Sequence, residues 1–151
     1  MTQSLSNILV HIVFSTKQRT SWLNPEICAE LYPYIAQILK TKNTHPYRIG
    51  GTADHIHILC RLVKTISISA LIEEIKTSTS KWIKTKKNFD LNDFHWQNGY
   101  GVFSISPGHL DIVTTYIANQ LEHHKKTTFQ EEFLLLLKKY KINYNEKYLW
   151  N

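Results

Sequence analysis

Two short stretches of this chain carry residue types that do chemistry in pairs. The first is Asp54-His55-Ile56-His57-Ile58-Leu59. Read as a strand, it sends His55 and His57 to one face, roughly 7 Å apart at Cα, and Ile56 and Ile58 to the other. Two neutral imidazoles held side by side are half of a metal site. Eight histidines in 151 residues would give about 0.4 such pairs by chance, so the pair takes its weight from its company. The second stretch is Tyr116-Ile117-Ala118-Asn119-Gln120, where i, i+4 spacing stacks Tyr116 and Gln120 on one helix face. Val113 and Ile117 flank that face, as they would around any half-buried tyrosine.

A phenol with an ordinary pKa near 10 is a poor nucleophile at neutral pH unless assisted. A divalent ion held by His55 and His57 would polarise a phosphodiester oxygen and stabilise charge developing at phosphorus. The Gln120 amide would offer that ion an oxygen ligand. Attack by Tyr116 would form a phosphotyrosyl bond and free a 3′-OH. The new bond is itself a phosphodiester, so another 3′-OH can reverse the step without an external energy source.

The elements that must position these groups are legible in turn. Asn7 to Ser15 alternates as a strand, with Val10, Ile12 and Phe14 on one face and His11 and Val13 on the other. Asn24-Pro25 opens a helix bearing Ile27, Leu31, Ile35, Ile38 and Leu39, with Pro33 predicting a kink or a later start. Tyr47 to Ile49 reads as a short strand, Gly50-Gly51 as a turn, and Asp54 to Val63 as the longer partner of a hairpin. A second helix from about Ser67 carries Ile68, Leu71, Ile72, Ile75, Trp82 and Ile83. Strand material follows at Phe94 to Trp96 and Tyr100 to Ser106. A third helix runs from Ser106-Pro107 to about Lys125, and a fourth from a Thr128/Glu131 capping box to near Lys141. The last ten residues show no period.

The order β-α-β-β-α-β-α-α predicts an α+β, ferredoxin-like antiparallel sheet with helices on one face and added C-terminal helices at an end. Such a layout hosts many activities, so function rests on the site. At this length one domain is expected. The chain contains no apolar run long enough to span a membrane and no secretory leader is legible after Met1, so a cytoplasmic protein is expected. Cys28 and Cys60 lack ligand spacing, which argues against structural zinc. Leu59 stands where a histidine-triad hydrolase needs its third histidine. A formal charge of +6 fits a polyanionic partner. Lys17, Arg19, Lys76, Lys81, Lys84, Lys86 and Lys87 are the residues with which the chain would hold a phosphate backbone. His11 reads as a core histidine, and His123-His124 as cations at a helix C-terminus. Trp82, Trp96 and Tyr100 read as packing residues ahead of base-stacking ones.

Taken in order, the histidine strand, His95-Trp96-Gln97-Asn98-Gly99-Tyr100-Gly101, the tyrosine helix and His123-His124 resemble the single-tyrosine transposases of the smallest bacterial insertion sequences. Those proteins are HUH endonucleases, named for histidine, hydrophobic residue, histidine. The likeness runs from His11 to Glu132, and implies a single transposase domain over residues 1–151. It implies Tyr116 as nucleophile, His55, His57 and Gln120 as ligands of Mg²⁺ or Mn²⁺, and hairpin-bearing single-stranded DNA as substrate. It further implies a homodimer with composite sites, the histidines of one copy serving the tyrosine of the other. Two alternatives stay open: a former transposase that binds hairpin DNA without strand transfer, and a phosphodiesterase that attacks with metal-bound water.

Overall fold

The computed structural model describes residues 2–151; Met1, counted in the leader reading above, lies outside the described residues. In chain order the elements are β1 (Ile8–Ser15), α1 (Pro25–Thr41), β2 (His45–Gly51), β3 (His55–Leu62), α2 (Ile68–Lys84), β4 (Gly101–Ile105), α3 (Leu110–Ala118), α4 (Gln120–His123), α5 (Phe129–Lys139) and α6 (Glu146–Leu149). The strands form one antiparallel sheet in the order β2-β3-β1-β4, the ferredoxin-like arrangement. β3 therefore lies inside the sheet, with His57 opposite Val13 and His55 opposite Ser15 of β1.

Alternation along these strands makes two distinct faces. Val10, Ile12, Phe14, Ile56, Ile58 and Cys60 are buried against α1 and α2. The Asn24 side chain caps α1 by accepting from the Ile27 N–H at 2.9 Å, a contact worth about 1 kcal/mol. Ile27, Leu31, Ile35, Ile38 and Leu39 then recur on its buried stripe, each contributing roughly 1.5–3 kcal/mol through burial. The helix starts at Pro25 and continues through Pro33 to Thr41. Ser67 caps α2 in the same way, accepting from Ala70 N–H at 3.1 Å.

The added C-terminal helices lie across the opposite sheet face rather than at an end. Val13 and Phe103 pack against Phe129, Phe133 and Leu137 of α5, while Leu9, Leu59 and Ile105 pack against Ile117 of α3. The reason is visible in β1 and β3: their second faces carry Leu9, Val13 and Leu59 together with His11, Ser15, His55 and His57, all buried, with Arg61 exposed at the end of β3. A sheet apolar on both faces needs two layers of helix. The third helix is also shorter than its sequence pattern predicts. It breaks at Asn119, whose φ of −97° and ψ of 15° separate α3 from the single turn of α4.

Two other expectations shift for local reasons. Gly50 and Gly51 end β2 rather than forming the turn. A Cβ on Gly50 would stand 2.9 Å from both the Ile117 Cγ2 and the Ile117 carbonyl oxygen, so this glycine lets the end of α3 settle onto the sheet. Gly51 has φ of +151°, and a Cβ there would fall 2.2 Å from the His55 carbonyl oxygen. Phe94 to Trp96 is a loop that touches the sheet through one bridge, Thr16 to Trp96. Since the Ile117 backbone cannot give way as a side-chain end would, Gly50→Ala is expected to cost about 1–3 kcal/mol. Urea unfolding of the variant against wild type checks this, and an unchanged midpoint would show that α3 does not press on β2.

Candidate active site

The site is built where β3, α3, α4 and α5 meet on the second sheet face. His55 and His57 are fully buried. Asp54 Oδ1 accepts from His55 Nδ1 at 2.7 Å, which turns Nε2 of the same ring inward. The Thr52 hydroxyl braces this pair, 3.0 Å from both Asp54 Oδ1 and His55 Nδ1. His57 Nδ1 lies 2.7 Å from Nε2 of buried His11, the neighbour across β1, so its Nε2 also points inward.

One carboxylate collects everything else. Glu132 Oε1 is 3.1 Å from His57 Nε2, 3.0 Å from His124 Nε2 and 3.4 Å from His55 Nε2. Its Oε2 accepts from the Tyr116 hydroxyl and, at 2.8 Å, from the Gln120 amide. The Gln120 Oε1 faces His55 Nε2 at 2.9 Å. All four expected site residues, His55, His57, Tyr116 and Gln120, thus converge within a single chain.

The electrostatics follow from burial and from this carboxylate. Burial resists charge on His55, yet its bonds to Asp54 and Glu132 outweigh that and raise its pKa to about 9. Both ring nitrogens face acceptors, as an imidazolium requires. Burial lowers His57 to about 4 against the pull of Glu132, and burial with the His57 charge lowers His11 to about 3. Burial would raise Glu132, but hydrogen bonds from His124, His55 and His57 hold it well below the usual carboxylate range. Burial and the adjacent Glu132 charge push the Tyr116 phenol far above its ordinary value. A proton on His55 Nε2 and the donors around Glu132 therefore supply the positive charge at this point. Nitrogen and oxygen atoms of His55, His57, His124 and Glu132 lie within 4.8 Å of one another, so the donor set also fits a divalent cation.

The family model described as "Transposase IS200 like" matches residues 4–120, from the approach to β1 through Gln120. The chain belongs to the IS200-like transposase family. Among solved structures it is similar to a candidate transposase from Deinococcus radiodurans R1, at 17% identity and a TM-score of 0.61, covering 80% of this chain and 98% of that one. It is also similar to a REP-associated tyrosine transposase bound to a REP hairpin, at 15% identity and a TM-score of 0.60, covering 82% of this chain and 74% of that one. At such identities these likenesses speak for the fold. No curated protein matches the chain.

Glu132 lies beyond the matched stretch of this transposase and was missed as a site residue in the sequence. Its signal was nonetheless there: an acid on the buried stripe of α5 with Phe129, Phe133 and Leu137. The Thr128/Glu131 capping box starts α5 in the register that turns Glu132 inward. His124 and His11, assigned to a helix end and to the core, both reach the cluster as well.

The basic residues divide. Lys76 does not face a phosphate: its ammonium donates to the carbonyls of Gln97, Asn98 and Gly99 at 2.8, 3.3 and 2.8 Å, and burial lowers it to about 8. Arg19 bonds the Trp150 carbonyl at 3.0 Å and lies over its ring. Lys86 covers Trp82 and lies 3.5 Å from Glu30. Lys17, Lys81, Lys84 and Lys87 are exposed, the last three on or just beyond α2, across the sheet from the histidines. Lys125 and Lys126, which follow His124, are the exposed cations beside the cluster.

The shifts fix how the metal-free chain responds to pH. His11 and His57, depressed from 6.5, stabilise the fold above about pH 6.5, and that contribution is lost as pH falls toward 4. His55, raised to about 9, contributes fully below 6.5 and loses its contribution as pH rises to 9. Urea midpoints measured with a chelator present are expected to peak near neutrality, with His55→Gln flattening the alkaline limb and His11→Phe the acid limb. Midpoints that climb steadily to pH 9 would contradict the assignment.

Proposed function

We propose that this family member cuts and rejoins single-stranded DNA through a 5′-phosphotyrosine at Tyr116, with a divalent metal held by His55 and His57. The observation that carries the reading is the meeting of the Tyr116 hydroxyl, the inward-facing imidazoles and Glu132 in one pocket of one chain. Gln120 Oε1 and Glu132 Oε1 are the oxygen ligands available, with His124 as a further nitrogen. When bound, the ion would supply Lewis-acid stabilisation of charge at the scissile phosphate. A donor set this rich in imidazole suits Mn²⁺ better than Mg²⁺.

The chain's own residues have separable tasks. Asp54 and His11 fix the ring orientations of His55 and His57. Glu132 uses Oε1 toward the imidazoles and Oε2 toward the phenol, so it orients the Tyr116 hydroxyl by accepting its hydrogen bond. The phenol oxygen then forms its bond to phosphorus, the P–O3′ bond breaks, and the departing 3′-oxygen takes a proton from solvent. Rejoining is the reverse, with a different 3′-OH. Burial and the Glu132 charge hold the phenol in its neutral form, and a cation held by His55 and His57 would offset that charge.

Hairpin DNA as the recognised feature is supported by the family and by the hairpin bound to one structural neighbour. Homodimerisation remains part of the proposal, as a way to bring two element ends together.

Labelled hairpin-bearing single strands incubated with Mn²⁺ and run on a denaturing gel test the reading. Wild type is expected to give a covalent adduct and Tyr116→Phe none. Cleavage without adduct that survives Tyr116→Phe would mean attack by water, and hairpin binding without cleavage would mean a binding module. Mixing Tyr116→Phe with His57→Ala chains is expected to restore no adduct; restored adduct would place the working tyrosine in trans.

A further inference from the structure

A groove of ≈ 320 Å³ opens beside the nucleophile, between α3 and α5, and the chemistry described so far leaves most of it unused. Tyr116 and His123 line it together, their ring centroids 5.7 Å apart. Ile112 of α3 and Leu135 of α5 stand at 65% and 62% exposure along it. Tyr140 closes one side, its ring stacked on Phe103 at 4.8 Å between centroids. Lys139 brings the groove a cation, and His123 Nε2 is buried 3.6 Å from Glu132 Oε2.

We propose that this groove is the subsite for the unpaired nucleobase of the nucleotide bonded to the scissile phosphate. The proposal rests on the strand-cutting reading above and names where that substrate lies. Three observations select the occupant. A phosphate attacked by Tyr116 leaves its own nucleotide no further than the next space along the site, and this groove shares Tyr116 as a wall. Apolar sides with a fixed aromatic suit a base, whose π-face packs against such surfaces whatever its sequence. Lys139 then offers a cation to phosphate oxygens, as a nucleotide needs and an apolar helix does not. A second copy of the chain is the poorer fit. A stable dimer buries roughly 800 Å² on each side, whereas the largely exposed apolar side chains here are Ile112 and Leu135.

The test uses the full chain with methyl-labelled Ile and Leu, titrated with single-stranded decamers of randomised sequence and with abasic decamers of equal length. The bases are expected to shift the Ile112 and Leu135 methyl resonances, and the abasic strands to leave them in place. Leu135→Ser is expected to weaken decamer binding about fivefold, the effect of one lost base contact, while abasic binding stays within about twofold. If decamers shift methyls elsewhere, or the gel shows adduct, while these two stay still, the groove assignment fails and the strand-cutting reading stands. If the two methyls move with protein concentration alone, the occupant is a second copy and the assignment is overturned. If no strand moves any resonance and no adduct forms, both readings fall together.

Discussion

A carboxylate buried among imidazoles is the constraint on which the rest of this structure depends. Glu132 is 2% exposed and ionised, a state that a protein interior tolerates only with charge and hydrogen bonds supplied on every side. The chain supplies them with five residues from four elements or turns: His57 and His55 from β3, Tyr116 from α3, Gln120 from α4, and His124 from the turn that follows. Removing the carboxylate would leave several buried donors without acceptors; removing the imidazoles would leave a bare buried anion. Either loss falls in the range of 3–5 kcal/mol seen for broken buried pairs, on the order of a small protein's whole margin. The cluster is thus a structural knot as well as a candidate catalytic centre.

The layers serve that knot. α1 and α2 cover one sheet face with an apolar core and leave β3 no freedom to slip, because a one-residue shift would turn Ile56 and Ile58 outward along with the histidines. Gly50 allows α3 to press onto β2, which sets the height of Tyr116 above the sheet. The capping box at Thr128 sets the register of α5. Phenol, imidazoles, amide and carboxylate come from separated points in the sequence, yet each is fixed by a local rule of its own element.

Much of this was legible in the residues themselves. The strand alternation separating Ile56 and Ile58 from His55 and His57, the caps at Asn24 and Ser67, and the split βαβ order all follow from short-range patterns that survive folding. Tyr116 and Gln120 were found because helix spacing and chemistry coincide. Glu132, His124 and His11 were not singled out, because each becomes polar-functional only through a partner 8 to 75 residues away. The lysines misled in part for the same reason: Lys76 looks solvated on its helix until the carbonyls at Gln97 to Gly99 close over it. Long-range satisfaction of buried polar groups is what one-dimensional periodicity cannot carry.

The phenol, the paired imidazoles, the Gln120 amide and the Glu132 carboxylate meet within one chain. The claim beneath all of this is that Glu132 and the paired imidazoles form one binding site for a cation. Anomalous diffraction at the manganese edge from crystals soaked in Mn²⁺ tests it most directly. The account predicts a single strong peak enclosed by His55, His57 and Glu132; a peak elsewhere, with the Glu132 carboxylate still bonded to both histidines, would contradict it.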